Sequence, residues 1–349
     1  MPKNRFTLLL VIFCCLTAFT GFSFTYIVLN NYVEKSPTAV SDNFNQQQSS
    51  NQQPLHTIAI QSLRERVYES DLSELEKISH ETDTISYLTS YVSDGLKIHG
   101  LLVVPTQDMP TEGWPAIVFV HGYIPPDDYK TETNYTSYVK YLAGKGCVVF
   151  KIDLRGHGES EGSPSGAYYS EGYVVDTLNA YSALSKSRLV DKTRVGLWGH
   201  SMAGNIVFRS FVVNNDIPKI VIWAGAVYTY QDFVDYGISD NSYRPPTDNK
   251  RALERKKLFD TYGEFNKDSE FWKSIVPTNY LSGVRGRVQL HHAVNDNVVS
   301  INYTRNLVKI LDANNIKYEI YEYPFGGHNL EGSVFNQAMD RTAEFLTSD

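Results

Sequence analysis

Short apolar runs recur along this sequence, most followed by a stretch with helical spacing, and that alternation restricts the fold more than any other feature. Ala116–Val120, Cys147–Ile152, Val195–Trp198, Ile220–Trp223, Val288–His292 and Tyr318–Tyr323 read as strands. Tyr135–Leu142, Gly172–Ser185, the residues from Met202 onward, Ile301–Leu311 and Ser333–Leu346 read as helices. Strands that are apolar throughout need cover on both faces. The pattern therefore implies an α/β fold, a mostly parallel sheet flanked by helices. Ligands of such sheets bind at the carboxyl ends of the strands.

Other segments elaborate this frame. Ile85–Val92 and Leu96–Val104, joined by Ser93-Asp94-Gly95, predict a hairpin. Ile58–Ile78 mixes charges with spaced apolar residues and predicts an amphipathic helical segment. Tyr228–Tyr280 interrupts the alternation with charged helical stretches and many aromatics, which suits a helical cap insertion at about 228–280 better than a simple loop. Its aromatics Tyr228, Tyr230, Phe233 and Tyr236 are candidates for an apolar substrate pocket or for the cap's own core.

At the amino terminus, Phe6–Leu29 has no charged residue over 24 positions and follows Lys3 and Arg5. A bilayer span takes about 20 residues, and basic residues on the short side favour a cytoplasmic amino terminus. Residues 1–33 are therefore expected to be a cytoplasmic stub and transmembrane helix, with the bulk of the chain extracytoplasmic. The alternative is a cleaved signal peptide and a secreted protein. Residues 34–54, rich in Ser, Asn, Gln and Pro, read as a flexible linker, leaving 55–349 as the folded domain. A net charge of −7 gives no reason to expect a nucleic-acid partner, and three cysteines offer no disulfide framework.

The chemistry centres on V-G-L-W-G-H-S-M-A-G, Val195–Gly204. A strand, a small-residue turn and a helix place Ser201 where a G-x-S-x-G-like elbow presents its hydroxyl, although Ala203 stands where the second glycine belongs. A serine hydroxyl needs a base and a group to orient that base. Asp296 follows the strand ending His291-His292, and His328 follows the strand ending at Tyr323. The order Ser201, Asp296, His328 is the one expected for a nucleophile, its acid partner and its base on such a sheet. His200, His291 and His292 are alternative bases, better suited to packing or supporting roles. The backbone N–H groups of Met202 and Tyr123 are the expected donors to a developing oxyanion. D-L-R-G-H-G-E-S, Asp153–Ser160, lacks the spacing and lysine of a phosphate loop; it is expected to brace the site through an Asp153–Arg155 ion pair, with His157 structural. His291 and His292 point to opposite sides of a strand, so no shared metal is expected, and no cofactor is called for.

H-G-Y at 121, D-L-R-G-H-G-E-S-E-G at 153, G-H-S-M-A-G at 199, the Asp296 loop, G-G-H at 326 and S-D-G-L-K-I-H-G-L-L-V-V-P at 93 together resemble the α/β-hydrolase superfamily. Specifically, they resemble the catalytic domain of prolyl-oligopeptidase-like serine peptidases and esterases, from about Leu88 to the end. The resemblance implies Ser201 as nucleophile, His328 as base and Asp296 as its partner. Only about eighty residues precede the domain, too few for the β-propeller of larger members, so a small ester is as reasonable a substrate as a short peptide. The alternative reading is a non-catalytic extracellular binding module of the same fold. A dehalogenase or epoxide hydrolase would want Asp at position 201, and a dienelactone-type hydrolase Cys.

Overall fold

The computed structural model describes residues 56–241 and 249–348. The expected anchor at 6–29 and linker at 34–54 lie outside the described residues; among those described, no helix is long and apolar enough to cross a membrane. In chain order the elements are α1 (Ile60–Arg64), β1 (Glu76–His80), β2 (Thr84–Ser93), β3 (Leu96–Pro105), β4 (Trp114–Val120), α2 (Thr136–Gly144), β5 (Val148–Ile152), α3 (Gly172–Ser185), β6 (Val190–His200), α4 (Met202–Val213), β7 (Lys219–Trp223), α5 (Tyr230–Tyr236), α6 (Asn249–Tyr262), α7 (Glu270–Ile275), β8 (Arg287–Ala293), α8 (Asn302–Ala313), β9 (Tyr318–Tyr323) and α9 (Ser333–Thr347).

One nine-stranded sheet runs β1-β2-β3-β5-β4-β6-β7-β8-β9. The first three pairings are antiparallel and the rest parallel. In β4 every residue is buried, and alternate side chains serve two cores. Ala116, Val118 and Val120 join the core covered by α3, α4 and α8. Ile117 and Phe119 join the one covered by α2 and α9. That two-sided burial is why the strand reads as an unbroken apolar run.

The hairpin between β2 and β3 turns on Asp94 and Gly95, with φ of 52° and 77°. Two consecutive positive φ values are the backbone requirement of a two-residue turn matched to strand twist. The connection from β4 to β5 leads toward β3, whereas that from β5 to β6 returns across β4 to its other side. The carboxyl ends of β4 and β6 therefore flank the crevice left where the winding direction reverses.

One expected element is different. The segment Ile58–Ile78 is helical only over α1; beyond it the chain is extended, Ser73 N–H donates to Ser90 O (2.8 Å), and β1 pairs with β2. The outer edge of β2 presents ladder groups that an extended segment satisfies and a helix would not. The apolar residues that suggested a helix are used all the same: Leu72 and Leu75 pack on the first core, Ile78 on the second.

Candidate active site

Ser201 sits between β6 and α4 with φ 57° and ψ −119°, a conformation a non-glycine residue holds only when its surroundings enforce it. Its N–H donates to Trp223 O on β7 (2.9 Å), which fixes the turn to the neighbouring strand. The turn is also crowded. A Cβ at position 199 would lie 2.6 Å from Ala203 O, and one at 204 would lie 2.6 Å from Gly225 Cα. The second close approach of the elbow thus falls at Gly204, against the loop after β7, while the Ala203 methyl is buried in the core under α4. This accounts for the displaced glycine.

The strand-end loops bring Asp296 and His328 to this serine. His328 Nε2 lies 2.8 Å from Ser201 Oγ, and His328 Nδ1 lies 2.8 Å from Asp296 Oδ2. The Asp296 side chain is fully buried. Its Oδ1 accepts from the N–H groups of Val298 (2.8 Å) and Val299 (3.0 Å), and Oδ2 also faces His292 Nε2 at 3.2 Å. Burial by itself would raise this carboxyl's pKa, but the hydrogen bonds from His292 and His328, the His328 charge and the Val299 N–H together hold it well below the usual carboxylate range. An ionised Asp296 keeps the His328 proton on Nδ1, so Nε2 presents its lone pair to the Ser201 hydroxyl.

The other histidines support this line. Nε2 of His292 faces two acceptors, Asp296 and Val299 O (3.0 Å), and so carries its proton there, while Nδ1 accepts from Thr304 Oγ1 (2.7 Å). His200 Nε2 donates to His328 O (2.9 Å), and its Nδ1 accepts from Tyr135 Oη (2.7 Å). Burial, and then the neighbouring His328 charge, push the His200 pKa down to about 3, so it holds the His328 loop as a neutral ring. His291 points to the other face, bonded to Tyr323 Oη (2.9 Å) and Gln289 Oε1 (2.8 Å). None of these three reaches Ser201 Oγ, unlike His328.

The loop after β4 is positioned as firmly. Buried His121 donates from Nδ1 to Gly122 O (2.7 Å). Because the peptide is planar and trans, this turns the Tyr123 N–H away from the ring. Gly122 N–H in turn donates to Tyr135 Oη (3.2 Å). Met202 opens α4, so its N–H is one of the four amides at a helix start that have no intrahelical acceptor.

Asp153 and Arg155 do not pair with each other as expected. Arg155 turns to α3, where Nη2 reaches Asp176 Oδ1 (2.7 Å) and Nε reaches Asp176 Oδ2 (2.9 Å). Asp153 lies two residues from Lys151, so both point to the same side of the strand end. It accepts from Tyr129 Oη (2.5 Å) and Thr131 Oγ1. Lys151, wholly buried, donates to Thr131 O (2.5 Å), Asn134 O (2.9 Å) and Tyr129 Oη (3.2 Å). Burial pushes Lys151 down to about 8 and Asp153 up to about 6, each opposed by the other's charge. The loop carrying Tyr123 is thereby tied to the end of β5. Sequence reasoning passed over Lys151, although a lone lysine inside the apolar run V-V-F-K-I was a signal. His157, expected to be structural, is buried with its ring centroid 4.9 Å from that of His121, and it also lines the larger cleft beside Ser201.

Ser201 opens into two clefts. One, of about 740 Å³, is lined by Tyr168, Tyr169, Tyr173, Met202, Phe233 and, from α6, Arg255 and Phe259. The other, of about 460 Å³, is lined by Tyr135, His200, His328, Asn297 and Asn329. Tyr123, Ser201 and Asp240 belong to both. Of the four proposed cap aromatics only Phe233 faces a cleft. Tyr228 is buried edge-on against Phe208, Tyr230 packs on Trp272 and donates to Tyr168 O, and Tyr236 stands against Tyr303. Of these three, only Tyr230 packs on other cap rings, Phe265 and Trp272; Tyr228 is buried against α4, and Tyr236 stays partly exposed. Phe233 is joined in the larger cleft by Phe259 of α6, Tyr173 of α3, and Tyr168 and Tyr169 just before α3, a segment that sequence periodicity gave no reason to choose.

The sheet order is that of the α/β-hydrolase fold, and Ser201, His328 and Asp296 stand in line at its strand ends. The family described as serine aminopeptidase, S33, matches residues 114–240. Among curated proteins, an uncharacterized protein of Salmonella typhimurium, YfhR, is 29% identical over 123 residues, covering 35% of this chain and 39% of that protein. Human dipeptidyl peptidase 8 is 28% identical over 167 residues, 45% of this chain and 18% of that one. The matches thus span well under half of these relatives. Among solved structures, an acetyl xylan esterase from Paenibacillus sp. R4 superposes with a TM-score of 0.58 at 18% identity, over 82% of this chain and 92% of that one. Dipeptidyl peptidase 4 of Porphyromonas gingivalis gives 0.56 at 19% identity, over 76% and 35%. The structural likenesses, at such identities, speak for the fold.

Proposed function

We propose that this chain cleaves an ester or amide bond through an acyl-enzyme, with Ser201 as nucleophile, His328 as base and Asp296 orienting His328. The observation that carries the reading is the unbroken line from Ser201 Oγ through His328 to Asp296, 2.8 Å at each step. As Ser201 Oγ bonds to the substrate carbonyl carbon, its proton passes to His328 Nε2, and the buried Asp296 carboxylate stabilises the imidazolium. The N–H groups of Met202 and Tyr123 receive the developing oxyanion, with His121 orienting the latter. His328 then delivers its proton to the departing alcohol or amine, and water repeats the sequence to release the acid. A fluorophosphonate probe should label the protein, and Ser201→Ala should abolish labelling and turnover together. Labelling that survives in Ser201→Ala would overturn the assignment. The non-catalytic binding module gains no support from a site with all three groups in hydrogen-bond reach.

The uncharged run at 6–29, preceded by Lys3 and Arg5, supports an anchored domain outside the cytoplasm. Protease treatment of intact cells should then digest the hydrolase domain.

A further inference from the structure

The two clefts differ in chemistry, and only one of them contains the proton donor. His328 lines the smaller cleft and not the larger. On the reading proposed above, the leaving group must pass within hydrogen-bond reach of His328 Nε2 to collect its proton. It therefore occupies the smaller cleft. With the carbonyl oxygen turned toward the Tyr123 and Met202 amides, the acyl chain is left the larger one.

The walls then state what each half of the substrate should be. Tyr168, Tyr169, Tyr173, Phe233 and Phe259 give the acyl side aromatic walls, alongside charged residues of both signs (Asp240, Glu254, Arg255, Lys256, Glu264), and its volume of about 740 Å³ is far more than an acetyl group fills. The leaving-group side presents Asn241, Asn297, Asn329 and Ser239. A carboxamide both donates and accepts, which matches a hydroxyl group. Among the described residues no Lys or Arg lines that cleft, and Asp240 is its one carboxylate, so an anionic alcohol is disfavoured. We infer that the preferred substrates are esters joining a bulky, apolar or aromatic acyl group to an uncharged polyhydroxylated alcohol of the sugar or glycerol kind. In the reaction the acyl carbon exchanges its bond to the alcohol oxygen for one to Ser201 Oγ, and the serine proton leaves on the alcohol. Water then releases the acid and restores the serine.

The test uses the full chain and four esters, acetyl and 3-phenylpropanoyl, each on ethanol and on glycerol, followed by pH-stat. Fluorophosphonate labelling of Ser201 is measured in parallel. A methylene in a fitted pocket is worth about tenfold or more. Phenylpropanoyl glycerol should therefore exceed acetyl glycerol in kcat/KM by at least about tenfold, and exceed ethyl phenylpropanoate by a similar factor. Phe259→Ala should shrink the first ratio and Asn297→Leu the second. If Ser201 is labelled but acetyl esters or ethyl esters are preferred, or if the two substitutions act on the opposite ratios, the cleft assignment is wrong while the hydrolase reading stands. Failure of Ser201 to label overturns both.

Discussion

Asp296→Asn isolates the electrostatic part of the site, because it changes one atom and one charge. The carboxamide oxygen can keep the bonds from Val298 and Val299 N–H, at 2.8 and 3.0 Å, so the loop has reason to stay in place. The new NH₂ then replaces Oδ2, where His328 Nδ1 stands at 2.8 Å and His292 Nε2 at 3.2 Å. Two donors would meet a donor. His328 escapes by moving its proton to Nε2, and the ring then offers Ser201 Oγ a hydrogen where it must offer a lone pair. The cost of that wrong tautomer in a Ser-His-Asp site is about 10⁴ in kcat, or about 5.5 kcal/mol of transition-state stabilisation. Hydrolysis of a p-nitrophenyl ester near neutral pH, with thermal unfolding as the check on folding, measures it. A folded variant with kcat within about tenfold of the parent would refute the role given to Asp296.

Two further outcomes follow from the same structure. His121→Leu removes the donor that orients the Gly122–Tyr123 peptide; kcat should fall by about tenfold to a hundredfold, below the hundredfold to thousandfold lost with a whole oxyanion donor, and His121→Asn, which can still offer an N–H there, should recover part of it. Equal kcat for His121→Leu and parent would remove Tyr123 from the oxyanion site. Stability should fall as pH drops below about 6.5: burial depresses His121, His200 and His291 in the fold, so the unfolded chain takes up protons that the native state refuses. Asp153, raised to about 6, binds its proton more readily in the fold and offsets one of the three. The net slope should be on the order of 1 kcal/mol per pH unit or more between pH 6 and 5, read from urea melts; a flat profile would contradict it. Below about pH 4 the depressed Asp296 carboxyl adds to the loss, since its stabilisation is present above the unfolded pKa and disappears as pH falls through the folded one.

How far the sequence reached depended on the range of the forces involved. The strands, the helices and the three loops carrying Ser201, Asp296 and His328 were legible because periodicity and turn chemistry are local properties, and a parallel sheet gathers its strand ends on one edge. The sequence could therefore nominate the three residues without any distance between them. What it could not determine lay in contacts between distant segments. The extended run into β1 was chosen by the open edge of β2 over a local helical preference. Arg155 found Asp176 on α3 instead of its near neighbour Asp153. Gly204 carries the close approach that Ala203 could not, because the backbone it meets, Gly225, belongs to another strand end. Which aromatics line the larger cleft was decided by packing too: Tyr228 and Tyr230 are buried, and the cleft is left to Tyr168, Tyr169, Tyr173, Phe233 and Phe259. Tertiary packing alone makes such allocations, since an aromatic ring is equally apolar in a core and in a pocket.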